Sequence, residues 1–345
     1  MDELKRKKIL GIWYMIGVGM LLGQIILGGV TRLTGSGLSI TEWKAILGFL
    51  PPMNGQDWNL AFIKYQQFGQ FKLVNTMMTL TQFKWIFFWE WFHRLWARLI
   101  GFAALIPLIY FIYKKIVNKD DIVKILVAVA LGAVAGTVGW IMVKSGLKEN
   151  TVLVNPVNLM SHILVATLIV GYVLRVGLEY LYPKEVKPFD QTNRKFFSFL
   201  IVLVFIQIGL GALVAGSKAA LICTTFPLMN GHYYPTEIDF SNSDLYEFST
   251  KLLFQFLHRN VAYFIFFYVI ILFLKTKNVA AQFQFHRTRW FLLIMVCMQV
   301  LLGVLTLLFS KGHIPIMLGV CHQIGAFLLL IFSIEAHYFI KYRAK

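Results

Sequence analysis

Residues 89–113 read WEWFHRLWARLIGFAALIPLIYFIY, in which a charged, aromatic beginning leads into a long apolar run. The apolar part is close to the ~20 residues that a helix needs to cross a bilayer. Glu90, His93 and Arg94 stand where that helix would enter the membrane. Because ionisable groups at membrane depth are costly, we interpret this stretch as the start of a transmembrane helix that carries a functional site.

The remainder of the chain is equally apolar. Of 345 residues, 58% are hydrophobic and 14% are charged, whereas about 25% are charged in an average soluble domain. We therefore predict an all-α integral membrane protein. Its eight predicted spans lie at about 9–30, 91–113, 122–143, 159–180, 196–217, 252–274, 290–309 and 318–340. The first is expected to be a retained helix, because it has no small-residue cleavage site and a second span follows.

The net charge of +17 would suggest nucleic acid in a soluble protein. If the N-terminus lies inside, however, the inner segments hold 20 of the 33 Lys and Arg residues and the longer outer loops hold ten. The positive-inside rule then predicts a multi-pass protein of the cell (inner) membrane with both termini cytoplasmic. The basic surplus indicates topology and contact with membrane lipid, and no nucleic-acid partner is expected.

The two halves of the chain carry the same features in the same order. The pairs are QIILGGV from Gln24 with QIGLGALVAG from Gln207, His93-Arg94 with His258-Arg259, and His162 with His322. Their offsets are 183, 165 and 160 residues, so only loop lengths differ. We predict two tandem, pseudo-symmetric four-helix bundles, formed by residues 1–182 and 183–345.

The four repeated histidines define the predicted chemistry. Each begins an even-numbered span, so His93, His162, His258 and His322 are expected at one level near the outer face. A lone histidine of this kind is more often an interhelical hydrogen-bonding group. Two imidazoles from opposite helices of a bundle favour a bis-histidine haem site. Zinc would need three or four ligands, and copper is a weaker alternative.

Cationic side chains at the same level are candidate partners for haem propionates. They are Arg32, Arg94, Arg98, Lys218 and Arg259. The alternative for each is a side chain that reaches the membrane interface without contacting a ligand.

One difference between the halves suggests a division of roles. Glu90 stands three residues before His93, on the same helical face, whereas Gln255 stands three residues before His258. The first half therefore has a carboxylate beside its histidine, and the second half has none. We predict that one bundle holds a resident cofactor and the other handles a substrate.

Five segments together resemble the haem A synthase family, of the CtaA type, in its proteobacterial and mitochondrial form. They are GGVTRLTGSGLSITEWKAILGFLPP (28–52), FKWIFFWEWFHRLWARLIGF (83–102), GWIMVKSGL (139–147), QIGLGALVAG (207–216) and TFPLMNG (225–231). The resemblance implies conversion of haem O into haem A, by successive hydroxylations of the methyl group at porphyrin carbon 8 to a formyl group. Haem A then serves cytochrome oxidase.

The resemblance also implies roles for individual residues. His93 and His162 would ligate the substrate haem, His258 and His322 would ligate haem b, and Glu90 would be the catalytic carboxylate. The implied partners are haem O synthase, cytochrome oxidase assembly factors and an electron acceptor that the sequence does not identify; a homo-oligomer is compatible with it.

Two further expectations concern mechanism. Residues 31–88 contain no cysteine, unlike some relatives, so a thiol step has no support and Cys223 has no assigned role. If both histidines stay on the substrate iron, no position is open for dioxygen, which favours attack of water. Glu90 would then accept the methyl proton or position the water.

Two other classes of protein compete with this interpretation. A dihaem electron-transfer cytochrome usually has one haem near each membrane face, whereas all four histidines here are predicted at the outer face. A transporter with parallel repeats would need a path through both leaflets, yet the inner halves of the spans have few ionisable residues.

Overall fold

The computed structural model describes residues 2–42, 47–182, 191–239, 241, 244–279 and 283–340. Within these ranges the regular structure is helical, with one isolated bridge between Met229 and His232 and no strand. The helices are α1 (Glu3–Leu33), α2 (Gly55–Gln66), α3 (Gly69–Leu73), α4 (Leu80–Tyr113), α5 (Lys119–Gly146), α6 (Pro156–Leu181), α7 (Gln191–Gly216), α8 (Phe248–Lys275), α9 (Phe283–Leu308) and α10 (Ile316–Phe339).

Eight helices in the described ranges, all except the short α2 and α3, are long and apolar enough to cross a membrane. This confirms the predicted all-α class and the eight spans. Helix α4 begins at Leu80, well before the predicted residue 91, so His93 lies in its fourth turn and not its first. At 1.5 Å per residue its 34 residues extend ~50 Å, more than the ~30 Å of the hydrocarbon core.

The extra turns of α4 have two local causes. Thr79 caps the helix in a capping box with Gln82, which fixes the start at Leu80. The turns that follow are covered by residues 47–79, here called the cap, which contains α2 and α3. Hydropathy alone assigns a span only to the apolar run, so these outer turns could not be predicted from it.

An aromatic cluster joins the cap to α4. Tyr65 of the cap is buried against Phe83 and Phe87 of α4, and Trp58 meets both phenylalanines edge to face. The Tyr65 hydroxyl donates to Gln70 Oε1 at 3.0 Å. Burial raises the pKa of Tyr65 above its ordinary value, so the phenol stays a neutral donor near pH 7.

The long helices contact one another in two closed circuits. In the first half of the chain, α1 contacts α4 and α6, and α5 contacts the same two helices. In the second half, α7 contacts α8 and α10, and α9 contacts these two helices as well. Helices α1, α6, α7 and α10 meet between the circuits, where the largest buried apolar cluster lies. The predicted domain boundary at 182/183 adjoins a segment outside the described residues.

A charged cluster holds α1, α5 and α6 together at the end away from the four histidines. Asp121, at the start of α5, is buried and accepts hydrogen bonds from Arg6 of α1 and the Tyr180 hydroxyl of α6. Arg6 also donates to the carbonyl of Ile116 at 3.4 Å. Because a buried carboxylate needs such partners, this cluster fixes the relative height of the three helices.

The backbone of Gly69 packs directly on the loop after α5, which leads to a stability prediction. A Cβ at Gly69 would lie 2.6 Å from the carbonyl oxygens of Glu149 and Thr151. Gly69→Ala is expected to destabilise the cap by about 1–3 kcal/mol, because these backbone atoms cannot move aside independently. Thermal unfolding in detergent and tryptic cleavage of the cap measure the effect. Gly55→Ala is the control, since a Cβ there meets no atom within 4 Å; equal effects of the two substitutions would contradict the prediction.

Candidate functional site

Each of the four histidines lies against a glycine of the preceding long helix. The distances from a Cβ placed on the glycine to the nearest imidazole atom are 3.3 Å for Gly28 and His93, 2.9 Å for Gly139 and His162, 3.1 Å for Gly211 and His258, and 2.9 Å for Gly303 and His322. Any larger side chain would push the ring away. The absence of a Cβ therefore lets helix and imidazole approach closely.

These four glycine–histidine pairs could not be predicted from their spacing in the sequence. The partners are separated by between 19 residues (303 to 322) and 65 residues (28 to 93), with no constant spacing. Which glycine of a helix faces the histidine depends on how the two helices are rotated about their axes. A sequence signal does exist, because Gln24, Gln207 and Gln299 each stand four residues before one of the glycines.

In the second half, His258 and His322 face each other closely. Their ring centres are 6.3 Å apart and their planes are inclined at 83°. A bond from imidazole nitrogen to a metal is about 2 Å and the nitrogen lies about 1 Å from the ring centre, so two imidazoles on opposite sides of one ion have centres ~6 Å apart. The Nδ1 atoms of both rings are buried without a hydrogen-bond partner in the described structure.

In the first half, His93 and His162 stand on α4 and α6, which face each other across the circuit between α1 and α5. The Nδ1 atom of His162 lies 3.1 Å from the carbonyl oxygen of Ala135. Since a carbonyl only accepts, this contact places the proton on Nδ1 and leaves Nε2 with a free lone pair. Among the described residues, no three His, Cys, Asp or Glu side chains group as a metal site of the zinc type would require.

Glu90 ties the loop after α1 to α4. The carboxylate is 2% exposed. It accepts hydrogen bonds from Ser39 Oγ and the Ile40 amide, both at 2.8 Å, and from Arg94 Nη2 at 2.5 Å. Arg94 in turn donates to the carbonyls of Ile40, at 3.1 Å, and Glu42, at 3.3 Å. The carboxylate next to His93 is therefore held in one position by three donors.

At the corresponding position in the second half, the side chain donates hydrogen bonds to a loop instead of accepting them. Gln255 donates to the carbonyls of Cys223, at 2.9 Å, and Ala219, at 3.4 Å. Arg259 also donates to the Cys223 carbonyl, at 3.3 Å. No carboxylate stands three or four residues before this arginine, and its Nε and Nη1 atoms are buried without a partner in the described structure.

The other predicted cations occupy different environments. Arg32 donates to the carbonyl of Ala215 at 3.2 Å, which links α1 to α7. Lys218 is exposed and adopts a left-handed backbone conformation with φ 55°. Arg98 is on α4, one turn beyond Arg94. The five predicted cations thus have different surroundings, and their role as propionate or interface partners stays a prediction.

A cavity of about 270 Å³ opens between α4, α5 and the loop after α1. Its lining comprises Ile40, Thr41, Glu42, Phe68, Arg94, Trp140, Val143, Lys144 and Leu147. Arg94, which is hydrogen-bonded to Glu90, thus borders the cavity on one side.

Cys223 is buried in the second half, with its Sγ atom 3.5 Å from Asn230 Oδ1.

Removal of the Glu90 carboxylate is expected to release the loop after α1. Glu90→Ala deprives Ser39, Ile40 and Arg94 of their acceptor, which costs about 1–3 kcal/mol. Amide hydrogen exchange at Ile40, followed by mass spectrometry, should then accelerate. Gln255→Ala is the matched control from the second half and should leave exchange at Ile40 unchanged. Unaltered exchange in Glu90→Ala would contradict the prediction.

Comparison with known proteins agrees with the resemblance noted in the sequence. Residues 11–334 match the COX15-CtaA family, described as cytochrome oxidase assembly protein. A protein of Bartonella quintana named "Heme A synthase" is 39% identical over 335 residues, which cover 96% of this chain and 92% of that protein. A protein of the same name from Rickettsia africae is 36% identical over 340 residues, covering 97% and 99%. On this evidence the chain belongs to the COX15-CtaA family of cytochrome oxidase assembly proteins.

Proposed function

We propose that this protein is a haem A synthase, which oxidises the C8 methyl group of haem O to a formyl group and so provides haem A for cytochrome oxidase. The observation that best supports the proposal is that the two histidine sites differ in the side chain beside the first histidine. Both halves place two histidines against glycines, and only the first half sets a carboxylate, Glu90, beside its histidine. The relatives named "Heme A synthase" match along nearly the whole chain.

We infer that residues 1–182 and 183–345 form tandem four-helix bundles, each with one haem between its two histidines near the outer face. The closed helix circuits support this arrangement. In the second half, a haem b iron between His258 and His322 fits the 6.3 Å separation of their ring centres. The glycines beside both rings provide space that a Cβ would otherwise fill. The substrate haem would lie between His93 and His162.

Haem b, when bound, supplies one-electron transfer. Arg259 is the best candidate to hold one of its propionates, because it directly follows His258 and its Nε and Nη1 atoms are buried without a partner among the described residues. Arg94 is less suited to bind a propionate, since its guanidinium already donates hydrogen bonds to Glu90 and to two backbone carbonyls. Arg32, Arg98 and Lys218 remain predictions as propionate or interface partners.

The proposed reaction uses water as the oxygen source. Conversion of the methyl group to the formyl group with one water releases four protons and four electrons: R–CH3 + H2O gives R–CHO + 4H+ + 4e−. The external electron acceptor of the proposal takes up these four electrons. The first hydroxylation gives the alcohol; the second gives a geminal diol, which loses water. Glu90 accepts a methyl proton or orients the attacking water. Ser39, Ile40 and Arg94 keep its carboxylate fixed relative to His93.

The cellular setting is part of the same proposal. The excess of Lys and Arg on one side supports an inner-membrane protein with both termini in the cytoplasm. The haem sites then face outward. Haem O synthase and cytochrome oxidase assembly factors are the proposed partners, together with an electron acceptor, and self-association is compatible with the proposal.

Pigment analysis of the purified protein tests the function. From a host that makes haem O, the wild-type protein should yield haem b together with haem O or haem A. Glu90→Gln should retain haem b and lower formation of haem A by about 10²–10⁴-fold, because the proton acceptor is lost. Gln255→Ala, the control, should still form haem A. Haem b alone in the wild type would indicate an electron-transfer cytochrome, and normal haem A in Glu90→Gln would exclude Glu90 from the chemistry.

Isotope tracing in the same preparation tests the oxygen source. In a single turnover in labelled water, the formyl oxygen should carry the label. Label derived from dioxygen would contradict the proposed attack of water.

Redox titration tests the propionate role of Arg259. Arg259→Gln should lower the reduction potential of haem b, because a nearby positive charge favours the reduced iron. Arg94→Gln is the matched control from the first half and should leave the haem b potential unchanged. An unaltered potential in Arg259→Gln would contradict the assignment.

A further inference from the structure

Two glutamines hold the helical turns that carry the second pair of histidines. Gln207 Nε2 on α7 donates to the backbone carbonyl of His258 at 2.9 Å. Gln299 Nε2 on α9 donates to the carbonyl of His322 at 2.8 Å. A carbonyl oxygen has two lone pairs, so it can accept this bond in addition to the one within its helix. Helices α7 and α9 are thus each hydrogen-bonded to the next long helix at the histidine itself.

The glycine that faces each imidazole lies one helical turn after the glutamine. Gln207 is followed by Gly211, and Gln299 is followed by Gly303. The glutamine fixes the height and rotation of the histidine turn, and the glycine backbone limits where the ring can lie. A Cβ at Gly303 would be only 2.9 Å from His322 Cε1. The two contacts together determine both the position and the plane of the ring.

The α5–α6 pair of the first half shows how the arrangement changes when the glutamine is absent. Ala135 stands four residues before Gly139, in the place of the glutamine. There the ring of His162 is held directly, through Nδ1 and the carbonyl of Ala135. The Nδ1 atoms of His258 and His322, in contrast, lack a partner in the described structure. The contacts that hold these two rings come instead from the glutamines: both bond the backbone carbonyl of a histidine, and Gln207 Nε2 also lies 3.5 Å from His258 Nε2.

The two glutamines also lower the stability of the fold, because each buries an oxygen atom that makes no hydrogen bond among the described residues. The Oε1 atoms of Gln207 and Gln299 are buried without a hydrogen-bond partner among the described residues. A buried amide that uses only its N–H group is a net destabilising feature and is commonly found at functional sites. An apolar side chain of the same size would avoid that cost but could not hold the histidine carbonyl.

We propose that Gln207 and Gln299 are positioning residues for haem b, which act through the backbone of His258 and His322 to set the near-perpendicular orientation of the two imidazole planes. This inference rests on the proposed haem b site. The planes are inclined at 83°. Ligand orientation and the contacts around a ligand are among the means by which a protein tunes a haem. The glutamines would therefore control the electronic state of the iron without touching it.

Electron paramagnetic resonance of the oxidised, purified protein tests the proposal. Perpendicular imidazoles on low-spin ferric haem give a highly anisotropic signal, whereas parallel imidazoles give a more rhombic one. Gln299→Met keeps the side-chain length and removes the donor, so the anisotropic signal should be lost or shifted toward the rhombic form while haem b is retained. Gln207→Met should have the same effect. Gly303→Ala should also shift the signal, by pushing the His322 ring directly.

A control variant separates positioning from a general effect on α9. Gln284→Met alters a partly exposed glutamine at the other end of the same helix and should leave the signal unchanged. An unchanged signal in Gln299→Met, or an equal change in Gln284→Met, would overturn the inference while leaving the proposed function intact. If the spectrum of His322→Ala kept every low-spin haem signal of the wild-type protein, both the proposed haem b site and this inference would be wrong.

Discussion

The close approach of an imidazole to a glycine on the neighbouring helix is the contact on which the arrangement of this protein depends. It occurs four times, once for each of the four repeated histidines. Within a membrane, apolar surface gives helices little reason to associate, and close backbone packing supplies much of the attraction instead. The same contact therefore packs the helices and places the imidazoles. A change at one of these glycines alters both the fold and the site.

One difference between the two halves is the charge of the side chain three residues before the first histidine. In the first half, Glu90 accepts bonds from the loop and neutralises Arg94. In the second half, Gln255 donates to the loop and leaves Arg259 with unused donors. One carboxyl group exchanged for an amide thus produces a half with a fixed carboxylate and a half with an available cation. This contrast is the main support for the proposal that the first half handles the substrate and the second half holds a resident haem.

Hydropathy and repetition predicted the eight spans but not the true start of α4. Within residues 80–90, Phe83 and Phe87 pack against the cap and Thr79 caps the helix, so tertiary packing and capping support these extra turns. The five predicted cations also proved unequal. Their common level remains a prediction. The bonds of Arg94 to the carbonyls of Ile40 and Glu42, and the environment of Arg259, depend on neighbours from distant segments.

The sequence by itself determined the membrane class, the duplicated order of four histidines, and the contrast between Glu90 and Gln255. These are matters of composition, periodicity and residue identity, which do not require helices to be placed in space. Only the tertiary structure decided which glycine faces each histidine and which glutamines hold the carbonyls of His258 and His322. The reason is that such pairs depend on the rotation and height of one helix against another, and the periodicity of a single helix contains no information about either.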